Sequence, residues 1–115
     1  MQHVAWENVK KEVIHDKFWR KYVTGEKAMV ARLGLSKGCM VPLHHHESEQ
    51  ISMVLEGAVK FELEGQEVII HAGEVLVIPS NLPHNALAIE DSSVIEVFSP
   101  IRYDWLNGTD GYLRK

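Results

Sequence analysis

The run Pro42-Leu43-His44-His45-His46-Glu47-Ser48-Glu49-Gln50 decides how this chain is read. Side chains alternate between the two faces of an extended strand, so His44 and His46, at i and i+2, point the same way if the run is a strand. On a helix the pair would diverge, since helical ligand pairs sit at i and i+4. Two neutral imidazoles on one strand face can reach one metal ion. A third, His84, closes the distant segment Pro79-Ser80-Asn81-Leu82-Pro83-His84. Parity continued from His44 groups His46, Ser48, Gln50 and Ser52 with it, opposite His45, Glu47 and Glu49. Chemistry alone would choose Glu47 or Glu49 as an oxygen ligand. Parity favours Gln50, and a bulge would reverse that choice.

Outward from this run, turn residues recur at short intervals: Gly25, Gly34, Gly38, Pro42, Gly57, Gly65, Gly73, Pro79, Pro83, Pro100 and Gly108. The pieces between them are rich in Val, Ile, Leu and Phe. Many short strands with regular turns indicate an all-β sandwich or barrel. The strand candidates are 18–23, 28–35, 51–56, 58–63, 67–71, 75–78, 84–89 and 94–99. Glu64-Gly65-Gln66 reads as a hairpin turn, and Gly57 as a bend between two paired strands. The first 16 residues read as a short helix or an extended arm, Asp104-Trp105-Leu106 as the start of a helical turn, and the charged stretch after Gly108 as a loose tail. The division expected is an N-terminal arm over 1–17, a β-barrel over 18–106 and a C-terminal tail over 107–115. Strands of this kind must hide their edges, and a double-sheet barrel does so while leaving an open mouth.

The 115 residues suffice for one domain with one core. A hydrophobic share of 45% is that of a globular chain. No apolar run approaches the roughly 20 residues of a membrane span. The N-terminus lacks the apolar core of a signal peptide, so a cytoplasmic protein is expected. Cys39 is the only cysteine, which excludes an intrachain disulfide and a four-thiolate zinc site. It reads as a small buried thiol. A net charge of −4 argues against nucleic acid as partner. Lys10, Lys11, Lys17, Arg20, Lys21 and Lys27 are interleaved with Glu7, Glu12, Asp16 and Glu26, a mixed solvated face. Trp6, Trp19, Trp105 and Tyr112 are more aromatic surface than the ends of a small barrel bury, and suggest a homodimer in which the N-terminal segment pairs with a second sheet. His3, His15 and His71 read as solvated or structural.

A second constellation follows in Val94-Ile95-Glu96-Val97-Phe98-Ser99-Pro100-Ile101-Arg102. Glu96 interrupts an apolar strand and shares a face with Val94 and Phe98. A carboxylate on an inward face is costly unless paired or functional. Arg102 can reach back over the barrel mouth, where a guanidinium grips a carboxylate by two parallel hydrogen bonds. The alternative is that Glu96 faces water and Arg102 is a surface residue.

Two spacings carry a family resemblance. Gly38, five residues, His44-x-His46, three residues, Gln50, six residues and Gly57 resemble the first cupin motif. Gly73, five residues, Pro79-x-Asn81, two residues and His84 resemble the second. Gln50 stands where cupins usually have glutamate, Asn81 where they usually have glycine, and Ala88 where a polar residue often ends the second motif. Asn tolerates left-handed backbone, so the second change is mild. The resemblance implies a double-stranded β-helix, a jelly-roll-like conical barrel with short terminal extensions. It also implies one divalent ion, of Zn, Ni, Fe or Mn, held by His44, His46, Gln50 and His84.

The wider stretch, through Gly25-Glu26-Lys27, Glu49-Gln50-Ile51-Ser52 and Val97-Phe98-Ser99-Pro100-x-Arg102-x-Asp104-Trp105-Leu106, resembles the KdgF-type cupins of pectin and alginate degradation. Those proteins convert 4,5-unsaturated uronates to linear keto sugar acids. The resemblance places catalytic roles on Glu96 and Arg102 and substrate contacts on Phe98 and Arg102. Glu96 is one methylene longer than the aspartate of that group. The partner implied is a small acidic sugar. Rival readings are a metal-dependent dioxygenase and a non-catalytic sugar-acid-binding cupin.

Overall fold

The structure, a computed structural model, describes residues 1–114. Ten strands form: β1 (Glu12–His15), β2 (Phe18–Thr24), β3 (Met29–Leu35), β4 (Met40–His44), β5 (Glu49–Glu56), β6 (Ala58–Leu63), β7 (Gln66–His71), β8 (Val75–Ile78), β9 (His84–Ala88) and β10 (Ser92–Ser99). They build two antiparallel sheets, ordered β1-β2-β3-β10-β5-β8 and β4-β9-β6-β7. Strict alternation explains the inner faces. Met29, Ala31, Leu33 and Leu35 of β3, and Val94 and Phe98 of β10, are buried while their neighbours are not. They share one core with Val59 and Phe61 of the facing sheet. Phe98 is fully buried, a contribution of roughly 1.5–3 kcal/mol for such a side chain.

The turns follow local chemistry. Glu64 and Gly65 both have positive φ, 52° and 72°, the two-residue hairpin expected between β6 and β7. Gly57 differs from the expectation. It does not join paired strands, because β5 and β6 belong to different sheets. Its φ of 88° swings the chain from one sheet to the other, and a Cβ there would lie 2.4 Å from the Asp91 carbonyl oxygen. Two strands were not expected. β1 is only four residues long. β4 contains Pro42, which lacks a donor, and is tolerated because β4 is an edge strand with a register shift between Val41 and His44.

The ends of the chain also pack. A 3-10 turn spans Trp6–Asn8. The helix α1 (Tyr103–Asn107) ends at Gly108, whose φ of 72° is the usual left-handed stop. Beyond it the chain is not the loose tail its charge suggested. A second 3-10 turn, Gly111–Arg114, buries Leu113, and Asp110 is wholly buried 2.7 Å from Nη2 of the equally buried Arg20. This is an ionic contact without hydrogen-bond angles. Arg20 also donates from Nε to Glu12 at 3.1 Å and lies over the Trp105 ring. Charge in this segment points inward because its partner is inside.

Three of the four aromatics that suggested a second subunit have partners within the chain. Trp105 is core, Tyr112 packs on His44, and Trp19 covers Gly34, with Lys11 above its ring. Cys39 is buried, and burial pushes its thiol upward, away from nucleophilic use. Among the described residues no helix is long and apolar enough to cross a membrane.

Candidate metal centre

His44 ends β4 and His84 opens β9, where the two are direct cross-strand partners. His46 lies in the bend between β4 and β5. That bend is not strand, yet the alternation persists through it. His44 and His46 are half-buried, Ser48, Gln50 and Ser52 are buried, and His45, Glu47 and Glu49 are exposed. Ring nitrogens of His44, His46 and His84 lie within 4.8 Å of one another.

The backbone sets the tautomer of each ring. Nδ1 lies 2.7 Å from Pro42 O in His44, 2.9 Å from Ser48 O in His46 and 2.8 Å from Leu82 O in His84. A carbonyl only accepts, so Nδ1 carries the hydrogen and Nε2 keeps its lone pair. The His84 Nε2 is buried with no hydrogen-bond partner. The His46 Nε2 lies 3.1 Å from Gln50 Oε1. The other end of the amide fixes that orientation: Gln50 Nε2 donates to Glu96 Oε2 at 2.7 Å, and approaches Ser52 Oγ at 2.9 Å. Two acceptors as close as His46 Nε2 and Gln50 Oε1 repel unless a cation lies between them. Three imidazole nitrogens and an amide oxygen thus form a donor set that fits a divalent transition metal.

Electrostatics agree with ligands that must be neutral to bind. Burial pushes His44 down to about 3. Burial, with the nearby Arg102 charge, pushes His46 down to about 4. His84 is lowered by burial too. Burial raises Glu96 above the usual carboxylate range, against the pull of Ser52, Arg102 and Gln50. Ser52 Oγ donates to Glu96 Oε2 at 2.7 Å. Among the described residues Oε1 of Glu96 takes no side-chain hydrogen bond. Glu96 faces Ala31 across one ladder and Ser52 across the other.

Arg102 is buried, not a surface residue. Its Nε and Nη2 donate to Asp104 Oδ1 and Oδ2 at 2.9 and 2.8 Å, and Nη2 also donates to the Tyr112 hydroxyl. The paired edge expected to grip a ligand is therefore occupied by Asp104, whose carboxylate matches the guanidinium fork. Nη1 remains. Burial opposes the Arg102 charge, but Asp104, Tyr112 and Glu96 outweigh it and its pKa moves up. Phe98 lies beneath the site. His46 meets its ring at 83°, and Arg102 lies 5.0 Å from its centroid. One cavity is walled by His44, Gln50, His84, Glu96, Arg102 and Trp105. Asp104 and Tyr112 belong to this site and were not anticipated, since nothing local in the sequence marks them. Ser52 was marked only by its parity.

The cupin domain family matches residues 31–99, which include all four donors. The chain is a cupin. It is 31% identical over 98 residues to the pectin degradation protein KdgF of Dickeya dadantii, covering 83% of this chain and 89% of that protein. The structure of KdgF from Halomonas sp. is 32% identical, with a TM-score of 0.79 over 86% of this cupin and 94% of that chain. An RmlC-like cupin from Shewanella frigidimarina is 25% identical, with a TM-score of 0.84 over 91% and 96% of the two chains.

Proposed function

We propose that this cupin opens 4,5-unsaturated uronates, the monosaccharides released by uronic-acid lyases, to linear keto sugar acids. Similarity to two KdgF proteins, one named for pectin degradation, supports the substrate class. The observation that carries the reading is the link Gln50–Glu96, in which one buried carboxyl both steers a donor amide and borders the cavity beside Arg102. When bound at His44, His46, Gln50 and His84, a divalent ion would polarise a substrate oxygen and stabilise negative charge there.

The remaining chemistry belongs to the chain. Three neutral rings and a neutral amide set no charge against an acidic ligand, and Arg102 offers it the two hydrogens of Nη1. Glu96 takes the proton of the anomeric hydroxyl as the bond between C1 and the ring oxygen breaks. The aldehyde forms at C1, and the enolate is left at C5. Return of the proton to C4 makes the C5 ketone, so the reaction is an isomerisation with no redox change. Burial suits Glu96 to this work, because a raised pKa makes its carboxylate a stronger base toward the anomeric hydroxyl. Phe98 and Trp105 keep the Arg102 plane in place from below.

Loss of absorbance from the unsaturated uronate tests this with metal-loaded protein. Wild type is expected to accelerate the loss over buffer. Glu96→Gln should slow it by about 10²- to 10⁴-fold, the usual worth of general acid–base help. Arg102→Ala should act mainly on KM. A wild type no faster than buffer would sink the proposal.

A further inference from the structure

A guanidinium has five N–H donors. In Arg102 three of them are committed: Nε to Asp104, and both hydrogens of Nη2 to Asp104 and Tyr112. The guanidinium lies against two aromatic rings, with its carbon 5.0 Å from the Phe98 centroid and 5.1 Å from that of Trp105. What is left for a ligand is the Nη1 edge, on a residue that walls the cavity. The direction of that edge therefore depends on Asp104 and Tyr112.

Tyr112 reaches this place from the far end of the chain. The strap 109–114 runs from Arg20 of β2 to His44 of β4, anchored by Asp110 on Arg20 and by the buried Leu113. It lays the Tyr112 ring 4.9 Å from His44, tilted by 32°. The hydroxyl accepts from Arg102 Nη2 and lies 3.4 Å from Asp104 Oδ2, toward which it can donate. Phenylalanine would fill the same space. Only the hydroxyl distinguishes tyrosine here.

We propose that Tyr112 is a positioning residue that sets acid specificity: with Asp104 it locks Arg102 so that Nη1 faces the ligand's carboxylate. The inference rests on reading the cavity as a sugar-acid site. It assigns the C-terminal strap a part in recognition that the barrel alone lacks.

The test is calorimetric titration of metal-loaded wild type, Tyr112→Phe and Arg102→Ala. The probes are galacturonate, which is saturated and does not react, and galactose, its neutral counterpart. Wild type should prefer the acid. Tyr112→Phe should weaken galacturonate about 3- to 10-fold, the worth of one ordinary hydrogen bond, and leave galactose affinity unchanged. With unsaturated uronate its KM should rise while kcat holds. Equal galacturonate affinity in wild type and Tyr112→Phe overturns the inference even if both turn substrate over. Tyr112-dependent acid binding without turnover upholds it while the proposed reaction falls. A wild type indifferent to the acid group overturns it as well.

Discussion

The Gln50 amide faces two ways, with Oε1 3.1 Å from His46 and Nε2 2.7 Å from Glu96. Glutamate, the more usual cupin residue, would replace that donor by an acceptor and set two buried carboxyls against each other. Both cannot ionise at that distance, so one would keep a proton. Gln50→Glu is thus expected to weaken galacturonate binding by about tenfold, because the one charge that remains would then sit among the metal donors and repel the ligand there. Calorimetry on the metal-loaded variant measures it, and unchanged acid affinity would refute this account of the neutral amide. At this scale the sequence was readable wherever direction along one strand sufficed: parity alone put His44, His46, Ser48, Gln50 and Ser52 on the inner side. It could not show that Asp104 occupies one edge of Arg102, since a bond between residues two apart depends on how α1 begins.

Among the elements, the strap 109–114 depends most on a single contact. Arg20 and Asp110 are both wholly buried, and removing Asp110 leaves the Arg20 charge with only the partly exposed Glu12. Asp110→Ala is expected to cost about 3–5 kcal/mol in chemical denaturation, with Glu12 holding the loss toward the lower figure. A loss below about 1 kcal/mol would mean the strap is held by Leu113 and Tyr112 instead. The same segment shows why some elements were hidden in the sequence. Eight strands were legible from apolar residues between turn residues. β4 was not, because Pro42 and the histidines break its apolar pattern, and its edge position makes that acceptable. The strap was misread because charge usually means solvent. Here Arg20 lies eight residues after Glu12 on the neighbouring strand, and ninety residues before Asp110, a pairing that only the closed barrel creates.

For the molecule as a whole, three histidines are held neutral within a small barrel, which ties its stability to pH. A histidine with a folded pKa below its ordinary 6.5 binds a proton less readily when folded, so acid favours the unfolded chain. The stability of chelator-treated protein should be full above about pH 6.5 and fall as pH drops toward 4, the lowered value of His46, with His44 extending the loss toward 3. His84 acts in the same direction. So does Asp104, whose pKa falls because hydrogen bonds and charge from Arg102 outweigh its burial. Glu96 acts in the opposite direction. Its raised pKa disfavours folding at high pH, and acid relieves that cost. Asp104 adds its share only below its ordinary 3.8, so between pH 5 and pH 7 one group opposes three rings and the net slope is positive: melting temperature should rise over that range and then level off. Thermal melting across that range checks it. His44→Gln, which keeps a polar side chain but no titrating ring, should flatten the rise. A profile identical to wild type in that variant would show that the buried ring is not what couples this barrel to acid.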